Sequence, residues 1–210
     1  MGQRLNIEIK RKRDNKELAN CYYHWSAYTE SACRLTLEIL ENIIDYKKET
    51  DDKDVMRAIK LLQSTGAGVE SEDYDKLTIE QAKYCKLGDN RNLGLISFTK
   101  ENMETTRQWE EGRVEIYLSD KENIFDNIKD TRVSFDVFYG ESREMIEEDY
   151  KDEIESGELD LDNLIEFDID FDNMTIEDVK EFYSRINEIE NDYCGKFKIK
   201  GQENIYCCIY

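Results

Sequence analysis

The negative charge of this chain is confined to its second half, and that confinement limits how the second half can fold. Residues 1–100 hold 17 acidic and 17 basic side chains, so the whole formal charge of −20 belongs to residues 101–210. Between Glu141 and Asp192 there are 21 Asp or Glu against four cations, Arg143, Lys151, Lys180 and Arg185. Like charges at that density repel one another in a compact state. Elements formed there must therefore turn their acids outward, and the apolar residues are spaced accordingly. Ile165, Phe167, Ile169 and Phe171 alternate with Glu166, Asp168, Asp170 and Asp172, the pattern of a half-buried strand. Ile146, Tyr150 and Ile154 recur every four residues between a capping Ser142 and Gly157, which predicts an acidic helix. Ile176, Val179, Phe182, Ile186 and Ile189 mark another helix to Asp192, opened by the Thr175–Asp178 capping pattern.

Hydrophobic residues at 39% and aromatics at 11% are too abundant for a disordered acidic tail, so a folded protein is expected. No apolar run approaches the roughly 20 residues of a membrane span, and the first residues lack a signal peptide's apolar stretch. A cytoplasmic location with no membrane partner follows as an expectation. An anionic surface also disfavours anionic lipid and bare nucleic acid. The six cysteines, Cys21, Cys33, Cys85, Cys194, Cys207 and Cys208, include no C-x-x-C pair. The single His24 cannot complete a zinc knuckle. The cysteines therefore read as small buried hydrophobes, and no cofactor or metal is expected.

Elsewhere, Leu5, Ile7 and Ile9 alternate with polar residues, as do Cys21, Tyr23 and Trp25, and a turn at Asp14-Asn15-Lys16 joins them as a hairpin. Helices are expected from Thr29 to about Lys48 and from Asp52 to Gly66. A shorter one carries the Thr78–Gln81 capping box, and another runs from Thr99 to Gly112. Strands are expected at 93–98, around Val114–Leu118 and around Val133–Val137, with a closing hairpin about Gly201. Helices and strands do not alternate regularly. The predicted class is α+β: mixed, mainly antiparallel sheet with four to six helices. The chain reads as one domain over 1–210, or as two packed halves, 1–140 and 141–210.

Three features bear on function. In a continuous strand, Glu166, Asp168, Asp170 and Asp172 stand about 6.5–7 Å apart on one face, a row comparable to backbone phosphates. A cationic groove built for nucleic acid would be attracted to it. Glu144, Glu147, Glu148, Asp152 and Glu155 on the preceding helix extend the surface, and the competing reading is a solvated outer face. A calcium loop is disfavoured because Asn173 stands where glycine is needed and Val179 where the closing glutamate is needed. The second feature is the aromatic run containing Tyr22, His24, Trp25 and Tyr28, read as sheet packing or as a contact surface for a partner. The third is the basic cluster Lys10, Arg11, Lys12, Arg13 and Lys16. It reads as a solvated turn, or as a knob for a second subunit's acidic face, which would make a homo-oligomer. No phosphate-binding loop, dinucleotide fingerprint or nucleophile elbow is present.

The segment Arg4-Leu5-Asn6-Ile7-Glu8-Ile9, the run Ala19 to Thr29, and Met103 to Gly112 with Trp109-Glu110-Glu111 resemble small bacteriophage and prophage proteins of low-GC Gram-positive bacteria. That resemblance implies a phage accessory protein acting in a bacterial host cytoplasm. By analogy with compact acidic phage proteins it suggests an anti-CRISPR or anti-restriction inhibitor. The expected function is non-enzymatic: binding, through a nucleic-acid-mimicking face, to a protein partner that has a basic nucleic-acid-binding groove. The alternatives are a metal-dependent enzyme acting on nucleotides or phosphoesters, and a structural phage component.

Overall fold

The hairpin of Leu5–Arg11 (β1) and Lys16–Tyr23 (β2) is the centre of the molecule, and its alternation sorts the two faces of the main sheet. In the computed structural model, which describes residues 3–46, 54–121, 123–137, 140–187, 195–201 and 205–208, Leu5, Ile7, Ile9, Ala19, Cys21 and Tyr23 are buried on one face. Asn15 takes φ +54° in the connecting turn, a conformation asparagine tolerates. Helices Thr29–Tyr46 (α1) and Asp54–Gln63 (α2) bring apolar stripes to the core, Ala32, Leu35, Ile39, Leu40 and Ile43 from the first, Met56, Ile59 and Leu62 from the second.

Gly68–Val69 (β3), the single-turn helices Ser71–Tyr74 (α3) and Ile79–Ala82 (α4), Leu95–Ser97 (β4) and Lys100–Arg107 (α5) follow. Gly112–Leu118 (β5), Ile124–Asp130 (α6) and Arg132–Asp136 (β6) complete a six-stranded sheet in the order β3-β4-β2-β1-β5-β6. Its central strand pairs antiparallel with β2 and parallel with β5, so the sheet is mixed. A second sheet has the order β7-β10-β9-β8, formed by Gly140–Glu141 (β7), Ile165–Phe167 (β8), Gly195–Ile199 (β9) and Ile205–Cys208 (β10). Between β7 and β8 lie Arg143–Asp149 (α7) and Lys151–Ser156 (α8); Ile176–Asn187 (α9) follows β8.

Phe182 of α9 is where the two sheets meet. Its ring stands edge-on to Phe167 and Phe197 of the small sheet (4.7 and 5.8 Å between centroids) and to Phe135 and Phe171 (6.0 and 4.9 Å). Such edge-to-face pairs add about 0.5–1.5 kcal/mol each beyond burial. One hydrophobic cluster runs without a break from β1 to β9.

The class is α+β, as expected, with more helices than the four to six foreseen: nine among the described residues. Two are single turns, α6 is held by Asn123, whose side chain accepts from Phe125 N, and one expected helix is divided. Tyr150 sits at φ −120°, ψ 34°, which separates α7 from α8 within the predicted Ser142–Ser156 helix. The expected strand from Ile165 to Asp172 ends at Phe167. Its partner β9 ends at Ile199, beyond which Gly201 turns the chain at φ +80°. Asp170 then accepts from Asp172 N at 3.2 Å, folding the chain into a turn. Phe171 and Met174 pass to the edge of β6, bonding Phe135 and Val133. The strand that was to include Trp25 stops at Tyr23, where His24 N donates to Arg91 O instead of a strand partner. The C-terminal parts of the helices expected to reach Lys48 and Asp192, and Cys194, lie outside the described residues. No helix among the described residues is long and apolar enough to cross a membrane.

Candidate functional site

The acidic half turns its charge outward almost completely. Between residues 143 and 187, sixteen of the seventeen Asp and Glu are exposed, including Glu144, Glu147, Glu148, Asp152, Glu155, Glu166, Asp168, Asp170 and Asp172. The exception, Asp178, accepts from Thr175 N and Oγ1 at 2.7 Å and caps α9. Each of the four cations there already has an acid: Arg143 meets Glu147 and Asp162, Lys151 meets Glu155, Lys180 meets Glu177, and Arg185 meets Glu181. Lys200 reaches Asp168 at 2.7 Å, and that hydrogen bond raises its ammonium above the ordinary value. Glu144, Glu148, Asp152, Glu166, Asp170 and Asp172 have no ion pair among the described residues.

The row of four acids is not straight. Glu166 alone lies on a strand, Asp168 is paired, and Asp170 and Asp172 sit in the turn. That turn borders a cavity of about 390 Å³ with Arg113, Glu115, Asp136 and Lys200. The even, phosphate-like spacing expected of a continuous strand is therefore absent, and what remains is a broad anionic surface. Helix α7 follows β7, which lies at the opposite edge of the small sheet from β8, and the acids of α7 and α8 are exposed like Glu166. No group of three or more His, Cys, Asp or Glu among the described residues is arranged to hold a metal ion.

Among the described residues, four of the five cations of the basic cluster, all but the exposed Lys16, meet acids of the same chain. Arg11 bonds Asp14 and Asp54 at 2.5 Å, Lys12 meets Asp130 at 2.8 Å, and Arg13 meets Asp120 at 3.2 Å. Lys10 joins a network on the outer face of the main sheet. Glu8, 1% exposed, accepts from Arg107 Nε at 2.6 Å and meets Lys10 at 3.0 Å. Lys10 also bonds Glu115, and Arg107 also bonds Glu17. Burial pushes the Glu115 carboxyl up, but hydrogen bonds from Lys10 and Tyr117 and the nearby charges hold it below its usual range. These charges satisfy one another, and they strap α5 to β1 and β2.

The aromatic run divides. Tyr22 and His24 share a 3.0 Å hydrogen bond and line a cavity of about 400 Å³ on the outer face of β2 and β4. Trp25, 49% exposed and edge-on to His24 at 5.1 Å, and the half-buried Tyr28 both lie outside the lining. Arg4, Glu70, Arg91, Ser97, Asn102 and Trp109 complete the principal lining. The register explains the floor: Tyr22 faces Leu95, and Asn20 faces Ser97. Asp73, fully buried, accepts from Phe98 N, Thr99 N, Thr99 Oγ1 and Asn102 Nδ2 at 2.6–3.0 Å. It thereby anchors the residues that lead into α5, and the Thr99 hydroxyl donates to Asp73 and makes no capping bond to the helix. Burial pushes the Asp73 carboxyl up, and these donors outweigh it, leaving the group below its ordinary value. Ser97, Arg91 and Asn102 carried no sequence signal, since nothing local marks which loop folds over which sheet face.

Compared with known proteins, the chain matches no family model, no curated protein and no solved structure.

Proposed function

We propose that this protein is a non-enzymatic binder that presents its anionic half to the basic groove of a nucleic-acid-handling protein and occludes it. The observation carrying this reading is the combination of near-complete exposure of the acids from 143 to 187 with pairing of every cation among them. The field over α7, α8 and the 166–172 segment is therefore of one sign, and such a field accelerates encounter with a cationic surface. The curved layout favours general charge complementarity over imitation of a regular phosphate row. A phage inhibitor of bacterial host defence, of the anti-CRISPR or anti-restriction kind, is the biological role that this chemistry and the sequence resemblance suggest.

Affinity capture from bacterial lysate tests the reading, with two baits compared at low and physiological salt. One bait is native; the other carries Glu144→Gln, Glu148→Gln, Asp152→Asn, Glu166→Gln, Asp170→Asn and Asp172→Asn. The expected result is a nucleic-acid enzyme retained by the native bait alone, more strongly at low salt. Equal retention by both baits, or by neither, overturns the proposal.

A further inference from the structure

We infer that the cavity between the outer face of β2–β4 and the end of α5 binds a small ligand joining a flat heteroaromatic ring to a single phosphate, the chemistry of a nucleoside monophosphate. This goes beyond the acidic surface and uses none of its residues. The first observation is Ser97. It is fully buried, its Oγ has no hydrogen-bond partner among the described residues, and it lines the cavity. A buried hydroxyl left without a partner costs stability, and a ligand's polar edge in the cavity would satisfy it. The second is the state of the two guanidiniums. Arg4 and Arg91 both line the cavity, and neither forms an ion pair among the described residues, in a chain whose formal charge is −20. Arginine's planar fork suits phosphate oxygens.

The third observation is a ring surface. Trp109 is 57% exposed, outside the hydrophobic core, with the Arg4 guanidinium 5.4 Å from its ring centroid. A flat base stacks on such a surface, and stacking on an aromatic side chain contributes about 1–3 kcal/mol per base. The 400 Å³ volume lies within the range of small-molecule sites. Glu70 and Glu72 also line it, so the lining is formally neutral and suits one phosphate better than a polyphosphate or a nucleic-acid strand. The Glu70 carboxylate is fixed in place, accepting from Glu72 N at 3.0 Å. Arg4, the pair Tyr22 and His24, and Trp109 come from the three separate segments that carry the sequence resemblance, and the fold brings them to one wall.

The test is calorimetry on the full chain with AMP, GMP, CMP and UMP. Adenosine, ribose 5-phosphate, inorganic phosphate and ATP serve as controls, and intrinsic tryptophan fluorescence as a second readout. At least one monophosphate is expected to bind saturably and quench fluorescence. Adenosine, ribose 5-phosphate, inorganic phosphate and ATP should each be weaker by about tenfold or more. Arg91→Gln should weaken the monophosphate by about tenfold, with an unchanged melting temperature because Arg91 is exposed. Ser97→Ala should also weaken it while leaving the melting temperature equal or higher, since it removes an unsatisfied group. Three results overturn the inference: no saturable binding of any monophosphate at millimolar concentration, binding indifferent to both substitutions, or ATP binding more tightly than every monophosphate. None of them bears on the acidic surface.

Discussion

Asp73 shows how one buried carboxylate organises its surroundings. It receives four donors from the β4–α5 junction and so fixes the start of the helix that ends at Arg107, two residues before Trp109. Asp73→Asn removes the charge from those bonds and turns one oxygen into a donor facing donors. A loss on the order of 2 kcal/mol is expected, the scale of hydrogen bonds to charged groups, measured as a lower urea midpoint. Asp73 and Glu115 are both held below their ordinary values in the folded state. Their contribution is fully present above the unfolded carboxylate range near pH 4, and it fades as pH falls through the lower folded values. Stability followed by denaturant unfolding should thus be level from about pH 7 to 5 and decline below about 4. Asp73→Asn should make that decline shallower; an unchanged slope would show that Asp73 is not among the groups responsible.

At the level of elements, the legible parts were those with local cause. Alternation located β1, β2, β5 and β6, and the Thr78–Gln81 capping box is present as two reciprocal bonds, Thr78 N to Gln81 Oε1 at 2.9 Å and Gln81 N to Thr78 Oγ1 at 3.3 Å. Thr175 and Asp178 close the same reciprocal pair on α9. Thr175→Ala should therefore cost about 1 kcal/mol, read as a fall in melting temperature. What the sequence concealed has non-local cause. The ladder of Glu166 to Asp172 keeps its in–out alternation, yet pairing stops where β9 runs out, and no residue within the ladder announces that. Likewise Thr99 has the right chemistry for a cap, but its hydroxyl is turned to Asp73, 26 residues earlier in the chain, as a donor. The acids at 144, 147, 148, 152 and 155 were correctly placed on exposed helix. The wall uniting Arg4, Tyr22, His24 and Trp109 depended on strand order, which composition does not encode.

For the whole molecule, a formal charge of −20 with its acids at the surface implies stored repulsion. Raising salt shortens the screening length from about 30 Å at 0.01 M to about 8 Å at 0.15 M. The melting temperature should accordingly rise by several degrees over that interval. A fall would mean that the ion pairs of the β1–β2 turn and outer sheet face outweigh the repulsion. The same surface chemistry governs association. Glu147, Glu155 and Asp168 already have cations, so neutralising the unpaired Glu144 and Glu148 should weaken binding of a cationic partner more than neutralising the paired Glu147 and Glu155. Occlusion itself is tested most directly by competition. The captured partner is loaded with fluorescent DNA, the native protein is added at physiological salt, and anisotropy and complex size are followed together. The account predicts displacement of the DNA, weaker as salt rises and weaker still with the six-fold neutralised variant. A stable ternary complex of partner, DNA and this protein would contradict it.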